Sequence, residues 1–445
     1  MKSDLLKADV KKLFFRYFIP SVMGVLSVSS YIFFDTVFIG KGVGSNGLSA
    51  LNVVLPIYNI FSAVGLLFGM GGATVLSICR GKKDENTATK VFSYSVILSL
   101  IVGLIITVVG LMFLDNVAML LGANEENIFL VEEYLRIIMI MPIGFIMTNV
   151  FNIFVRNDGS PRLAMVSMII SSFVNIVFDY ILVFPMDMGM KGAAIATFIS
   201  PVVGIVIISS HFFTKGCRLK LVFQGVDINI IKRIVANGAP SFIMEISAGI
   251  VIFAFNSAIF KYLGNMGIAA YGIIANIGII FVSIFNGIAQ AAQPIISINH
   301  GAGFKNRVYE ILKISQITAL FFGFVFFALG MLFPEFLISL FNNDIALISV
   351  TKRGIYLYFV AFIVMGINVT NTMYFQSIEE FKTSTAMSIL RGVGGIIIGL
   401  LILPLFIGVD GVWITVPVAE ALTFIFGISV IVKNKQKWTK ENLTI

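Results

Sequence analysis

Residues 47–61 read GLSALNVVLPIYNIF, and residues 267–281 read GIAAYGIIANIGIIF. Both stretches open on glycine, carry no charge and close on Ile-Phe. They lie 220 residues apart in a chain of 445. The same offset relates Pro20-Ser21 to Pro240-Ser241, Ser27 to Ser247, Gly81 to Gly301 and Gly110 to Gly330. Near the end of each half the offset becomes 219, where GMKG (189–192) meets GVDG (408–411). The chain is therefore read as one unit written twice, and whatever fold one half adopts the other shares.

Composition says what that unit is made for. The chain is 58% hydrophobic and 12% charged, with 43 Phe residues and a mean hydropathy of +0.99. Soluble domains run at about 25% charged. Backbone polar groups in lipid must be satisfied within the spanning structure, which leaves helices or closed barrels. The apolar runs exceed twenty residues and lack a period of two, so they read as helices, each able to cross the ~30 Å hydrocarbon layer. Twelve are expected, near 14–39, 49–79, 90–114, 128–155, 162–184, 191–213, 234–262, 268–299, 309–333, 347–376, 383–406 and 411–432. Six fall in each half, so both halves enter the membrane from the same side and their repeat axis runs along the membrane normal. The expected class is an all-α membrane protein of two six-helix bundles related by a pseudo-twofold. Its first bundle covers residues 1–213, a polar linker 214–233 (KGCRLKLVFQGVDINIIKRI), and the second bundle 234–445. Residues 1–12, MKSDLLKADVKK, are expected to form a short amphipathic helix at the membrane surface.

The net charge of +8 is topological rather than a nucleic-acid signature. With both termini placed in the cytoplasm, 24 basic residues fall in inside segments and only Lys41, Lys191 and Lys261 in outside loops, as the positive-inside rule requires. The chain is accordingly placed in the plasma membrane with both ends cytoplasmic. Cys79 and Cys217 fall at inside helix ends and are expected as thiols. The GVGSNG run at 42–47 matches a dinucleotide fingerprint only formally, because no strand precedes it. No P-loop, HExxH or GxSxG occurs, which argues against ATP, a tightly bound metal and an enzyme.

Ionisable groups inside spans cost roughly 2.5–3.5 kcal/mol on insertion scales and mark function by default. Here they are Asp35, Asp179, Glu245, Arg391 and Glu420. Asn175 and Asp179 are four apart and share a helix face. Asp35 and Thr197 lie at a similar depth on the first and sixth spans, so two carboxylates, an amide and a hydroxyl are expected to converge. Their counterparts in the second half are Phe255, Gly395, Gly399 and Val416; an acid needed only for folding would recur. Two nearby acids titrate as a pair and can share a proton, and oxygen ligands also suit a hard cation such as Na⁺. Arg391 is expected to pair with an acid such as Glu420. The pairs Gly65/Gly69 and Gly395/Gly399 are expected at close helix crossings.

The stretches FFDTVFIG (33–40), VRNDGSPRLAM (155–165), NIVFDYILVF (175–184), GMKGAAIATFIS (189–200) and QPIISINHGAG (293–303) together resemble the multidrug and toxic compound extrusion (MATE) family, in its bacterial drug-efflux branch that includes staphylococcal pumps. The resemblance spans essentially the whole chain. It implies a twelve-helix antiporter that exports bulky, often cationic organic compounds against inward H⁺ or Na⁺ by alternating access. It implies no other cofactor, and the chain is expected to act as a monomer. It also implies that Asp35, Asn175, Asp179 and Thr197 form the coupling-cation site; Glu245, an intramembrane acid on the seventh span only loosely comparable to family acids there, is a candidate for the lining of the substrate cavity. Some bacterial branches carry an acid in the tenth span, where this chain has Asn368 and Asn371 instead. Two competing functions are a flippase for a lipid-linked precursor and an intramembrane enzyme. The first would need basic groups for phosphate, and the second a convergent catalytic set.

Overall fold

A computed structural model describes residues 5–125, 127–223, 225–342 and 344–443, with side chains as far as 435; Lys2, Lys437 and Lys440, counted above among the inside charges, lie outside that description. Among the described residues every regular element is a helix. The first bundle holds α1 (Val10–Gly42), α2 (Ser45–Gly81), α3 (Glu85–Met112), α4 (Leu114–Leu120), α5 (Ile128–Ile138), α6 (Pro142–Asn157), α7 (Pro161–Val183) and α8 (Gly189–Ser209). The second holds α9 (Ile228–Gly301), α10 (Lys305–Leu332), α11 (Pro334–Ser339), α12 (Ile345–Tyr358), α13 (Phe362–Ser377), α14 (Phe381–Arg391), α15 (Val393–Ile407) and α16 (Val409–Leu443). Aspartates start several of them: Asp9 accepts from the Lys12 N–H at 2.9 Å and Asp84 from that of Thr87 at 3.0 Å, each satisfying a free N–H of the first turn.

Among the described residues ten helices are long and apolar enough to span, and the bent pair α5/α6, with 53° between its arms, makes an eleventh. The twelfth is folded into α9. Gly264 there has φ 57° and ψ −146°, a conformation open to glycine. Phe255 and Tyr271 on either side of it stack at 4.7 Å; sixteen residues of straight helix would hold them roughly 24 Å apart. The chain therefore reverses at Gly264, as it does 220 residues earlier at Gly44 (φ 86°). Twelve spans result. Three of them are interrupted where the sequence reads continuous: α5/α6 at Met139–Met141, α12/α13 through a 3₁₀ turn at Phe359–Ala361, and α14/α15 at Gly392. Gly392 is pressed by Ser247, whose Oγ would lie 3.0 Å from an added Cβ.

The repeat survives as packing. A Cβ on Gly110 would meet Met139 and one on Gly330 would meet Phe359; Gly103 faces Ile143 and Gly323 faces Ile363. The bundles join along a backbone seam at the end that carries the basic loops. A Cβ on Gly81 would sit 2.2 Å from the Ile298 carbonyl, and one on Gly301 2.2 Å from the Ile78 carbonyl. The expected glycine crossings are present too: Gly65 and Gly69 pack on α6 at Asn149 and Ile153, and Gly399 on Thr415.

The N-terminal segment departs from expectation over its described part, while residues 1–4 of the expected surface helix lie outside the described residues. Residues 5–8 form a turn, Leu5 is buried, and its carbonyl accepts from Asn299 at 3.0 Å while that of Ala8 accepts from Arg307 at 2.8 Å. Leucine side chains and unpaired carbonyls find partners on the second bundle that a lipid surface does not offer. The segment after α8 is likewise strapped to the first bundle. The Val222 N–H donates to Ser93 Oγ at 2.9 Å, the Asp227 N–H donates to the Tyr94 hydroxyl at 3.1 Å, and that hydroxyl donates to the Gly225 carbonyl.

Candidate cation site in the first bundle

The four polar positions singled out in the first half do come together. Asp179 and Asn175 are fully buried on α7, Asp35 is 8% exposed on α1, and Thr197 is 4% exposed on α8. Asn175 Nδ2 donates to Thr197 Oγ1 at 3.4 Å. Asp35 and Asp179 face this cluster from α1 and α7, which pack against each other. Two ionised carboxylates on neighbouring helices repel; a proton or a metal cation between them relieves that. Both oxygens of Asp179, Oδ1 of Asp35 and Oδ1 of Asn175 are buried and have no hydrogen-bond partner. Buried acceptors are normally satisfied, so a cluster of four unsatisfied oxygens fits a proton or an oxygen-ligated Na⁺. No salt bridge from a Lys, Arg or His reaches either aspartate among the described residues.

Three tyrosines complete the wall, and sequence reasoning passed over them. Tyr31 lies one turn before Asp35 on α1. Tyr134 on α5 is fully buried, and its hydroxyl is 2.9 Å from that of Tyr58 on α2. Tyrosines are common among apolar residues, so neither spacing nor composition marks these; the bend after α5 is what turns Tyr134 inward.

Glu245 is not part of this cluster. It lies on α9 in the other bundle, half-buried. The second bundle fills the equivalent place with hydrocarbon. Phe255 is fully buried against Tyr271, and Gly395 and Gly399 let α15 close on Ala419 and Thr415 of α16. Its own buried charges are spent on each other. Arg391 Nη2 is 3.1 Å from Glu420 Oε1, and Asn368 Nδ2 donates to Glu420 Oε2 at 2.6 Å, so the expected Arg391–Glu420 pair is formed with Asn368 as its third member.

Two repeated helical bundles with a buried acid pair in one of them define a polytopic membrane transporter. The MatE family model matches residues 20–181 and again 240–401, two copies at the offset of 220 that the sequence repeats. The chain belongs to the MATE family; it is a transporter and not an enzyme. It is 29% identical over 422 residues to the multidrug export protein MepA of Staphylococcus aureus strain MRSA252, covering 94% of this chain and 92% of that one. The MepA of Staphylococcus saprophyticus is also 29% identical, over 87% of this chain and 86% of its own length. Among solved structures, an outward-facing multidrug resistance MATE transporter of the MOP superfamily superposes with a TM-score of 0.89 at 26% identity, covering 95% of both chains. A MOP superfamily transporter from Pyrococcus furiosus gives 0.88 at 25%, again over 95% of both.

Proposed function

We propose that this protein is a secondary exporter that moves amphipathic, often cationic organic compounds out of the cell in exchange for inward H⁺ or Na⁺. The observation that carries the reading is the Asp35–Asp179 pair: two buried acids on neighbouring helices, without a basic partner among the described residues, in one bundle only. A cation arriving between them removes their repulsion and changes how α1, α7 and α8 pack. One charge crossing 100 mV releases about 2.3 kcal/mol, enough to shift a two-state equilibrium more than tenfold. The names of the staphylococcal relatives support drugs as cargo, and the basic loops support a plasma-membrane protein with both termini cytoplasmic. Hydrogen bonds between the bundles gather toward the basic end, from Arg156–Gln290 and Asn157–Gln293 out to Ser29–Ser283 near mid-span, which suits a state closed to the cytoplasm. Arg391 offers nothing to a phosphate-bearing lipid, because Glu420 neutralises it.

Dye efflux from proteoliposomes, with Na⁺ and pH gradients imposed separately, tests the reading. Asp35→Asn and Asp179→Asn are each expected to bind drug as wild type does and to lose gradient-driven efflux by about tenfold or more. Gradient-driven efflux at the wild-type rate by both variants would remove the assignment.

A further inference from the structure

Between the acid pair and the basic end, the first bundle holds a cleft of about 150 Å³. At ~30 Å³ per molecule that is room for about five waters. Polar side chains interrupt its largely apolar wall. Tyr31, Asn149, Asn152, Ser172 and Ser200 all face it. Tyr31 is one turn below Asp35, and Ser172 is three residues below Asn175, so the upper end adjoins the acid pair. Along α6 the wall is formed by Thr148, Asn149, Asn152 and Arg156, a single helix face running roughly 10 Å from Asn149 to Arg156.

The lower end is made by both bundles. Arg156 is 5% exposed, and its Nη1 donates to Oε1 of Gln290 on α9 at 2.5 Å. Its Nε has no partner, and neither does Oδ1 of Asn152, itself 7% exposed. No carboxylate pairs with Arg156 among the described residues. Next to it, Asn157 Nδ2 donates to Gln293 Oε1 at 2.9 Å, and Ser77 Oγ donates to Asn157 Oδ1 at 2.8 Å. A buried guanidinium is thus held at the floor of this cleft by an amide that belongs to the opposite bundle.

We propose that this cleft is the route by which the coupling cation leaves the acid pair toward the basic end, and that Arg156, pinned by Gln290, is its gate. The inference rests on the acid pair being the coupling site. While the bundles touch at the basic end, the fixed positive charge blocks a cation that has entered from the other side, so no ion passes without the conformational change that moves drug. When the bundles part there, Gln290 leaves with the second bundle. Arg156 loses its partner and turns to solvent, and the floor opens. A small anion resting on Arg156 is the competing use of the same charge.

Drug-free flux of H⁺ or Na⁺ into proteoliposomes separates these. Arg156→Gln is expected to raise cation leak about tenfold and to lower the drug moved per ion, whereas Arg156→Lys, which keeps the charge, stays as tight as wild type. Gln290→Leu, which leaves the arginine in place but unpinned, is expected to leak as well, and it tests the gate should Arg156→Gln not fold. Adding Asp35→Asn to either leaky variant is expected to abolish the leak, because the route runs through the acids. If Asp35→Asn alone leaves coupling intact, the acid-pair reading has failed. If it uncouples transport while Arg156→Gln and Gln290→Leu stay tight, the gate alone has failed. A leak that survives Asp35→Asn, or that is carried by chloride, would overturn the route.

Discussion

Arg391 and Glu420 form a charge pair with side chains 7% and 3% exposed. Taking both charges out of water is expensive, and breaking such a pair by removing one partner typically costs 3–5 kcal/mol. Asn368 shares the carboxylate, and its position on the tenth span is where some relatives were expected to carry an acid; here an amide completes the pair instead. Glu420→Gln should therefore lower thermal stability in detergent strongly, by a few kcal/mol. The double variant Arg391→Met/Glu420→Leu should recover most of that loss, because two apolar side chains leave no unpaired charge. A double variant no more stable than the single would mean that the pair is not what holds α14 against α16.

Helices in this molecule meet where side chains are missing. Gly81 and Gly301 come so close that any added carbon would strike a backbone carbonyl, which cannot swing aside. Overpacking of this kind costs typically 1–3 kcal/mol. Gly81→Ala is expected to part α2 from the basic end of α9. Cys79, 3% exposed two residues away, should then react faster with a membrane-impermeant thiol reagent supplied from that side. Unchanged labelling and unchanged stability would show that the seam has slack.

Across the whole molecule, each bundle reaches into the other at the basic end. Leu5, Val10, Leu13, Phe14 and Tyr17 pack in the apolar core of the second bundle, while Leu219, Ile230 and Ile234 pack in that of the first. Val10 and Phe14 are the repeat counterparts of Ile230 and Ile234, so the exchange is symmetric and has to be undone if the bundles separate there. The strap after α8 is anchored by Asp158, which accepts from Arg80 at 2.7 Å and from the Arg218 N–H at 3.1 Å and is hydrogen-bonded to His211 at 2.7 Å. Burial would raise this carboxyl, but the His211 hydrogen bond, Arg80 and the Arg218 N–H together hold it below the ordinary 3.8. A depressed carboxyl stabilises the fold above its unfolded value and loses that contribution as pH falls through the folded one. Asp158→Asn should thus destabilise the protein at pH 7. The carboxylate's share of that difference should shrink only below about pH 4, as followed by thermal unfolding against pH. A deficit still undiminished at pH 3 would rule out this linkage.

The sequence by itself determined the number of spans, their duplication and the four groups of the acid site. Lipid forbids an unsatisfied backbone, so helix length and helix period are written openly in hydropathy, and an acid such as Asp35 or Asp179 stands out against it. Tertiary structure alone decided where α5/α6, α12/α13 and α14/α15 break, that Tyr134 meets Tyr58, and that Arg156 answers to Gln290. Those features depend on which surfaces meet across 134 residues of chain in the last case. A hydropathy pattern records how deep a residue lies, but not which neighbour it faces.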